Sequence, residues 1–310
     1  MSSHRTQILL RKAAAQIVFH EFAPESPNVL ITFGALGDGM AEWGFGTDFA
    51  RKCGVNNVFV SKKKKTYYQD LSGCELLEAL RPLGQRNFVT YGASAGGYAA
   101  IYYGSFINAR IFAAAPRNSI HPILSKAWES LGDRDVVDEF KHSIHLHQIP
   151  KAEQSPLILI DFQQNRDAKM LKRWILPAYP DSQIKYVPRA GHSVLTHLRK
   201  FGQLSSFSEA YIMRNEVQEL RPFYEEGTKD RVIDDFLLAV HADDLDGAAG
   251  RLNQLGRDLN KIGALSAYAN LVLSKGARHH ADDLLMRLIA SRSLNLLHHK
   301  FTKKLQQLVA

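Results

Sequence analysis

Asn87-Phe88-Val89-Thr90-Tyr91-Gly92-Ala93-Ser94-Ala95-Gly96-Gly97-Tyr98 is an apolar, strand-like run that ends in a serine with glycines two residues before and two after it. A serine held at a tight strand-to-helix turn presents its hydroxyl at a sheet edge, and such a turn has no room for side chains on its flanks. Gly92 and Gly96, with Gly97 beside them, supply that room. The residues that follow predict a helix over Ala95–Phe106, whose positive N-terminal end points at the same serine. The pattern is that of a nucleophile elbow, and Ser94 is the candidate nucleophile.

On either side of the elbow, short β-rich runs alternate with stretches of helical period. Strands are expected near Gln16–Glu21, Val29–Phe33, Val58–Ser61, Phe88–Tyr91, Ile111–Ala114, Leu157–Asp161 and Ile184–Val187, and helices at Thr47–Cys53, Ser72–Arg81, Ala95–Phe106 and Ala168–Leu176. That alternation predicts an α/β fold, a mostly parallel sheet with helices on both faces. It covers residues 1–206, interrupted by an insertion at about 117–155 that forms either a cap over the site or a surface excursion.

From Phe207 the strand signal stops and apolar residues recur at helical spacing, in Val232–His241, Leu245–Leu255, Ile262–Ser274, Ala281–Ala290 and Leu294–Val309. Residues 207–310 are therefore expected to form a helical C-terminal domain, either a structural buttress or a surface for a homo-oligomer or protein partner.

At 310 residues, 45% of them hydrophobic, the chain is long enough for a large domain and a smaller one. No run of eighteen apolar residues occurs, so no membrane span is expected, and the charged N-terminus has no secretory leader pattern. Cys53 and Cys74 have neither metal-site nor disulfide-framework spacing, which points to a reducing, cytoplasmic setting. The net charge of +8 favours anionic partners without a nucleic-acid motif to go with it.

A serine nucleophile needs a histidine base and an acid, and behind an elbow they follow in the order Ser, Asp or Glu, His. His192 lies in the loop Arg189-Ala190-Gly191-His192-Ser193, after the last expected strand. Asp167, beyond the polar loop that follows Leu157–Ile160, is the preferred acid, and Asp161 at the strand end is the second choice. His142, His145 and His147 have no carboxylate or cysteine spaced with them, so no metal is expected.

The oxyanion of acyl transfer needs two backbone N–H donors. Ala95 supplies one, and the glycine-rich loop Phe33-Gly34-Ala35-Leu36-Gly37-Asp38-Gly39 offers Ala35 or Leu36 for the other. A dinucleotide loop does not fit, because Glu42 and Phe49 stand where third glycines belong. Ser61-Lys62-Lys63-Lys64-Lys65-Thr66-Tyr67-Tyr68 follows a strand whose carboxyl end shares the elbow's edge. Lys62, Lys63 and Tyr67, with Arg117 after the strand Ile111–Ala114, either line a substrate rim for an anionic or carbohydrate substrate or form a solvated loop.

Together the elbow at Gly92–Gly97, Asp167, the Gly191-His192 loop and the loop at Gly34 resemble the α/β-hydrolase superfamily over about residues 15 to 205. The resemblance implies an eight-stranded, mostly parallel sheet, with Ser94 as nucleophile, His192 as base and Asp167 as acid at its carboxyl edge. No His-Gly-Gly-Gly precedes the oxyanion loop, and the acid is not in the frequent glycine-x-x-Asp setting. In this the chain is similar to divergent members associated with bacterial surface polysaccharides, some of them O-acetyltransferases.

Three functions are compatible with these residues. The first is a serine hydrolase of a small-molecule or carbohydrate ester, acting through an acyl-enzyme without a cofactor. The second is an O-acyltransferase on a bacterial glycan, with an acyl-thioester donor such as acetyl-CoA. The third is a non-catalytic binding protein on a hydrolase scaffold.

Overall fold

A computed structural model describes residues 4–119, 121, 124, 149–255, 265–291 and 297–310. Most of the insertion at 117–155, with His142, His145 and His147, lies outside the described residues. The chain divides into two compact units, Met1–Leu220 and Arg221–Ala310.

The first unit is built on eight strands: β1 (Arg5–Arg11), β2 (Ala15–Glu21), β3 (Asn28–Phe33), β4 (Asn56–Lys62), β5 (Asn87–Ala93), β6 (Arg110–Ala114), β7 (Leu157–Ile160) and β8 (Gln183–Tyr186). Their order across the sheet is β1-β2-β4-β3-β5-β6-β7-β8. β1 and β2 pair antiparallel, as do β2 and β4, and every other pairing is parallel. β1 is the strand absent from the sequence reading. Its residues are exposed or half-buried, and its apolar residues, Ile8, Leu9 and Leu10, stand side by side without the alternation that betrays a strand.

The parallel strands β3, β4, β6 and β7 are buried almost throughout, as expected of a sheet covered on both faces. Helix α3 (Ala95–Phe106) lies on one face, where the Thr90 hydroxyl donates to the Ala100 carbonyl at 2.9 Å. Tyr91, the next residue, points to the opposite face and stacks on Phe112 with ring centroids 4.8 Å apart. α1 (Thr47–Lys52), α2 (Gly73–Leu80), α4 (Asn165–Met170), α5 (Val194–Lys200) and α6 (Leu204–Arg214) complete the unit. Ser72 caps α2 through a reciprocal bond with Glu75. α4 runs directly into a wider π turn, Leu171–Ile175.

The boundary at 206/207 is corrected by α6, which packs in the first unit. The Arg110 guanidinium donates to the Tyr211 and Ile212 carbonyls at 2.9 and 2.8 Å, and Phe207 and Tyr211 lie against Phe112. Helical spacing shows that a helix exists but not which body its apolar face covers.

The second unit contains α7 (Lys229–His241), α8 (Leu245–Leu255), α9 (Leu265–Ser274), α10 (Arg278–Ala290) and α11 (His299–Val309). Its interior includes Phe236, Leu252, Tyr268, Leu284, Leu288 and Leu305, with Phe236 and Tyr268 edge to face at 5.7 Å. Among the described residues no helix is long and apolar enough to cross a membrane.

Candidate active site

Ser94 sits between the end of β5 and the start of α3, with φ 56° and ψ −122°. A non-glycine residue there is strained by about 1–3 kcal/mol, which the surroundings must offset. The Ser94 N–H donates to the Ala114 carbonyl at 2.9 Å, and the Ser94 carbonyl accepts from Tyr98 and Arg117 N–H groups, each at 3.0 Å. The flanking glycines are required by space. A Cβ on Gly92 would lie 2.1 Å from the Gly96 carbonyl oxygen, and one on Gly96 would lie 2.2 Å from that of Phe33. The second contact shows how closely the β3 end approaches the first turn of α3.

His192 follows β8 in a loop that turns through the left-handed conformation at Arg189 (φ 54°) and Gly191 (φ 62°). Its Nε2 is 2.7 Å from Ser94 Oγ and its Nδ1 is 2.7 Å from Asp167 Oδ2. An ionised carboxylate only accepts, so the ring proton belongs on Nδ1 and Nε2 is left to accept from the serine hydroxyl. Asp167 stands in the first turn of α4 and is wholly buried. Three residues separated by up to 98 positions thus form one hydrogen-bonded line.

Asp161, the second choice for the acid, has a different place. Its Oδ2 accepts from the Gly191 N–H at 2.8 Å and its Oδ1 from the Gln163 N–H at 2.9 Å, so it ties the β7 end to the loop that carries His192. Burial pushes its carboxyl above the usual aspartate range, against the pull of these two donors.

Two of the expected rim residues face inward. Lys62 is the buried last residue of β4, and its ammonium donates to the carbonyls of Ala35, Leu36 and Asp38 at 3.0, 3.1 and 3.2 Å. Burial lowers its pKa, while the charge of Asp38 opposes the shift. Tyr67 is buried as well. Lys63 is exposed, and its N–H donates to the Ala14 carbonyl in the β1–β2 turn. Arg117 holds Nη1 3.3 Å from the second oxygen of Asp167, so it faces the buried carboxylate. A lysine run reads as a surface loop because sequence does not reveal that its first member ends a fully buried strand.

The two candidates for the second oxyanion donor differ. The Ala35 N–H donates to Asp38 Oδ2 at 2.7 Å, so it is already engaged. No acceptor takes the Leu36 N–H among the described residues. Ala95 is the first residue of α3, where an N–H has no partner within the helix. No group of three or more His, Cys, Asp or Glu side chains among the described residues is placed to hold a metal ion.

No protein-family model and no curated protein matches this chain. Solved structures do. An α/β hydrolase enzyme, MGS-MChE2, from the sediment metagenome of the Mar Chica lagoon, Morocco, is 15% identical over 68% of this chain and 100% of its own, with a TM-score of 0.42. Mouse alpha/beta hydrolase domain-containing protein 10 is 12% identical over 68% and 100%, with a TM-score of 0.46. Est1E from Butyrivibrio proteoclasticus is 13% identical over 67% and 99%, with a TM-score of 0.45. In this chain itself, the strand order, the two antiparallel pairings at one side and the helices on both faces give the α/β-hydrolase fold.

Proposed function

We propose that this protein is a serine-dependent hydrolase of an ester substrate, working through an acyl-enzyme on Ser94. The observation that carries the reading is the line from Ser94 Oγ through His192 to Asp167, with both contacts at 2.7 Å. Ser94 Oγ attacks the ester carbonyl carbon while His192 Nε2 takes the hydroxyl proton, and Asp167 stabilises the imidazolium that forms. The tetrahedral oxyanion is met by the Ala95 N–H at the positive end of α3 and by a donor of the loop after β3. Its collapse expels the alcohol, which leaves with the proton from His192. Water then gives a proton to His192, attacks the acyl carbon and releases the acid, returning the proton to Ser94.

A fluorophosphonate probe tests this reading, since Ser94 Oγ displaces its fluoride and becomes phosphonylated. The wild type is expected to be labelled at Ser94, and Ser94→Ala and His192→Ala not. Equal labelling of wild type and Ser94→Ala, or none of the wild type, overturns it.

A further inference from the structure

Lys62 ends β4 with its ammonium buried under the loop that follows β3, and the mechanism above does not use it. A lysine ammonium has three donors. All three are spent on this loop, on the carbonyls of Ala35, Leu36 and Asp38. The Tyr68 hydroxyl holds the preceding carbonyl, Gly34, at 2.8 Å, and the Lys62 ammonium lies 5.4 Å from the Tyr68 ring centre. Four carbonyls of one short loop are thus gathered by two buried side chains.

The sheet register gives the direction of this pull. Phe33, the last residue of β3, pairs with Val60 on β4 and with Gly92 on β5. Lys62 and Ser94 are therefore each two residues beyond a partner of Phe33, on opposite sides of the loop. In a planar trans peptide the carbonyl of one residue and the N–H of the next point in opposite directions. Carbonyls drawn toward β4 turn the following amides toward β5 and Ser94. Of those amides, the Ala35 N–H is spent on Asp38, and the Leu36 N–H follows the Ala35 carbonyl that Lys62 holds.

We propose that Lys62 is a positioning residue for acyl transfer, its ammonium fixing the loop so that the Leu36 N–H, with that of Ala95, forms the oxyanion hole. The proposal rests on the reading of Ser94 as the nucleophile. It separates Leu36 from Ala35 as donor and gives the buried lysine a task that a rim residue does not have.

The test compares full-length wild type, Lys62→Met and Lys62→Gln in three measurements: the second-order rate of fluorophosphonate labelling, the kcat and KM for p-nitrophenyl acetate, and the melting temperature. Loss of an oxyanion donor costs about 100–1000-fold in rate. Lys62→Met is expected to slow labelling and kcat by about 100-fold, and Lys62→Gln, which keeps two donors, by about 10-fold, with KM within about threefold of wild type. A folded variant that labels and turns over within twofold of wild type overturns the role of Lys62 while leaving that of Ser94 standing. A wild type that is not labelled overturns both.

Should neither variant fold, the wild type decides by NMR. On forming a trifluoromethyl ketone adduct, the Leu36 and Ala95 amide protons are expected to move downfield and that of Ala35 to stay. A shift at Ala35 with none at Leu36 overturns the assignment.

Discussion

Arg117 and Asp167 form an ion pair behind the histidine: Nη1 of Arg117 is 3.3 Å from the carboxylate oxygen that His192 does not use. That oxygen receives no hydrogen bond, so the contact is electrostatic attraction without hydrogen-bond alignment. Asp167 is fully buried, and Arg117 keeps a fifth of its side chain exposed. Removing one partner of a buried pair leaves a charge without compensation, which costs about 3–5 kcal/mol where both are enclosed.

Arg117→Met is therefore expected to lower stability by about 2–3 kcal/mol, less than for a wholly buried pair because of the guanidinium's partial exposure. Its backbone bond to Ser94 remains, so the elbow keeps its shape. If Asp167 orients His192 as proposed, kcat for p-nitrophenyl acetate falls roughly tenfold at nearly constant KM, as for an interaction felt mainly in the transition state. Urea unfolding and steady-state kinetics check the two effects, and unchanged values for both would remove Arg117 from the support of the acid.

Asp161 supplies a pH dependence whose sign follows from its raised pKa. Between the ordinary aspartate value of about 3.9 and the raised folded value, the native protein binds a proton that the unfolded chain has released. Wild-type stability is thus expected to fall as pH rises through that window, and then to level off above the folded pKa. Asp161→Asn removes this slope. It also leaves an amide nitrogen facing one of the two backbone donors, Gly191 or Gln163, at a cost of about 1–3 kcal/mol. Urea unfolding of both proteins from pH 4 to 7 tests the sign, and parallel curves would contradict it.

Glycines of the elbow and of the loop after β3 are predicted to differ sharply in their response to the same substitution. Gly92→Ala and Gly96→Ala each drive a methyl to within about 2.2 Å of a backbone oxygen, which cannot rotate away as a flexible side chain does. A loss of at least about 3 kcal/mol is expected, enough to strip a marginal domain of soluble yield. Gly37→Ala meets nothing within 4 Å. It should melt within about 2 °C of wild type, in line with the half-kilocalorie spread of surface changes.

Residue patterns in the chain go a long way toward this picture where they are local. Ser94 is marked by glycines that only a tight turn needs, and His192 by a glycine that turns its loop through the left-handed region. Ser94 directly follows a strand and His192 lies in the loop after one, and the alternation of strands and helices reveals both strands. What stays hidden is the direction of a side chain after its strand. Lys62 and Arg117 occupy the sheet edge expected of rim residues, yet one turns into the backbone of the neighbouring loop and the other toward a buried carboxylate. Asp161 and Asp167 are six residues apart in one loop region, and only the fold decides that one meets the imidazole and the other the Gly191 amide.

The division after Leu220 yields a last prediction, because it differs from the division that helical spacing suggests. A fragment ending at residue 220 keeps α6, whose Phe207, Ala210, Tyr211 and Ile212 are buried. It also keeps the Tyr211 hydroxyl bonded to the Ile111 carbonyl at 3.2 Å and the Arg110 guanidinium on the carbonyls of Tyr211 and Ile212. A fragment ending at residue 206 loses all of these contacts and uncovers Phe112 in the middle of the sheet. At about 1.5–3 kcal/mol for each large apolar side chain, that loss exceeds roughly 5 kcal/mol, comparable with the whole stability of an ordinary domain. Fragment 1–220 is expected to be soluble and to melt cooperatively by circular dichroism, and 1–206 to aggregate or melt without a transition. Equal melting of both would place α6 outside the core of the first unit, and failure of 1–220 to fold would show that residues 221–310 are needed for its stability.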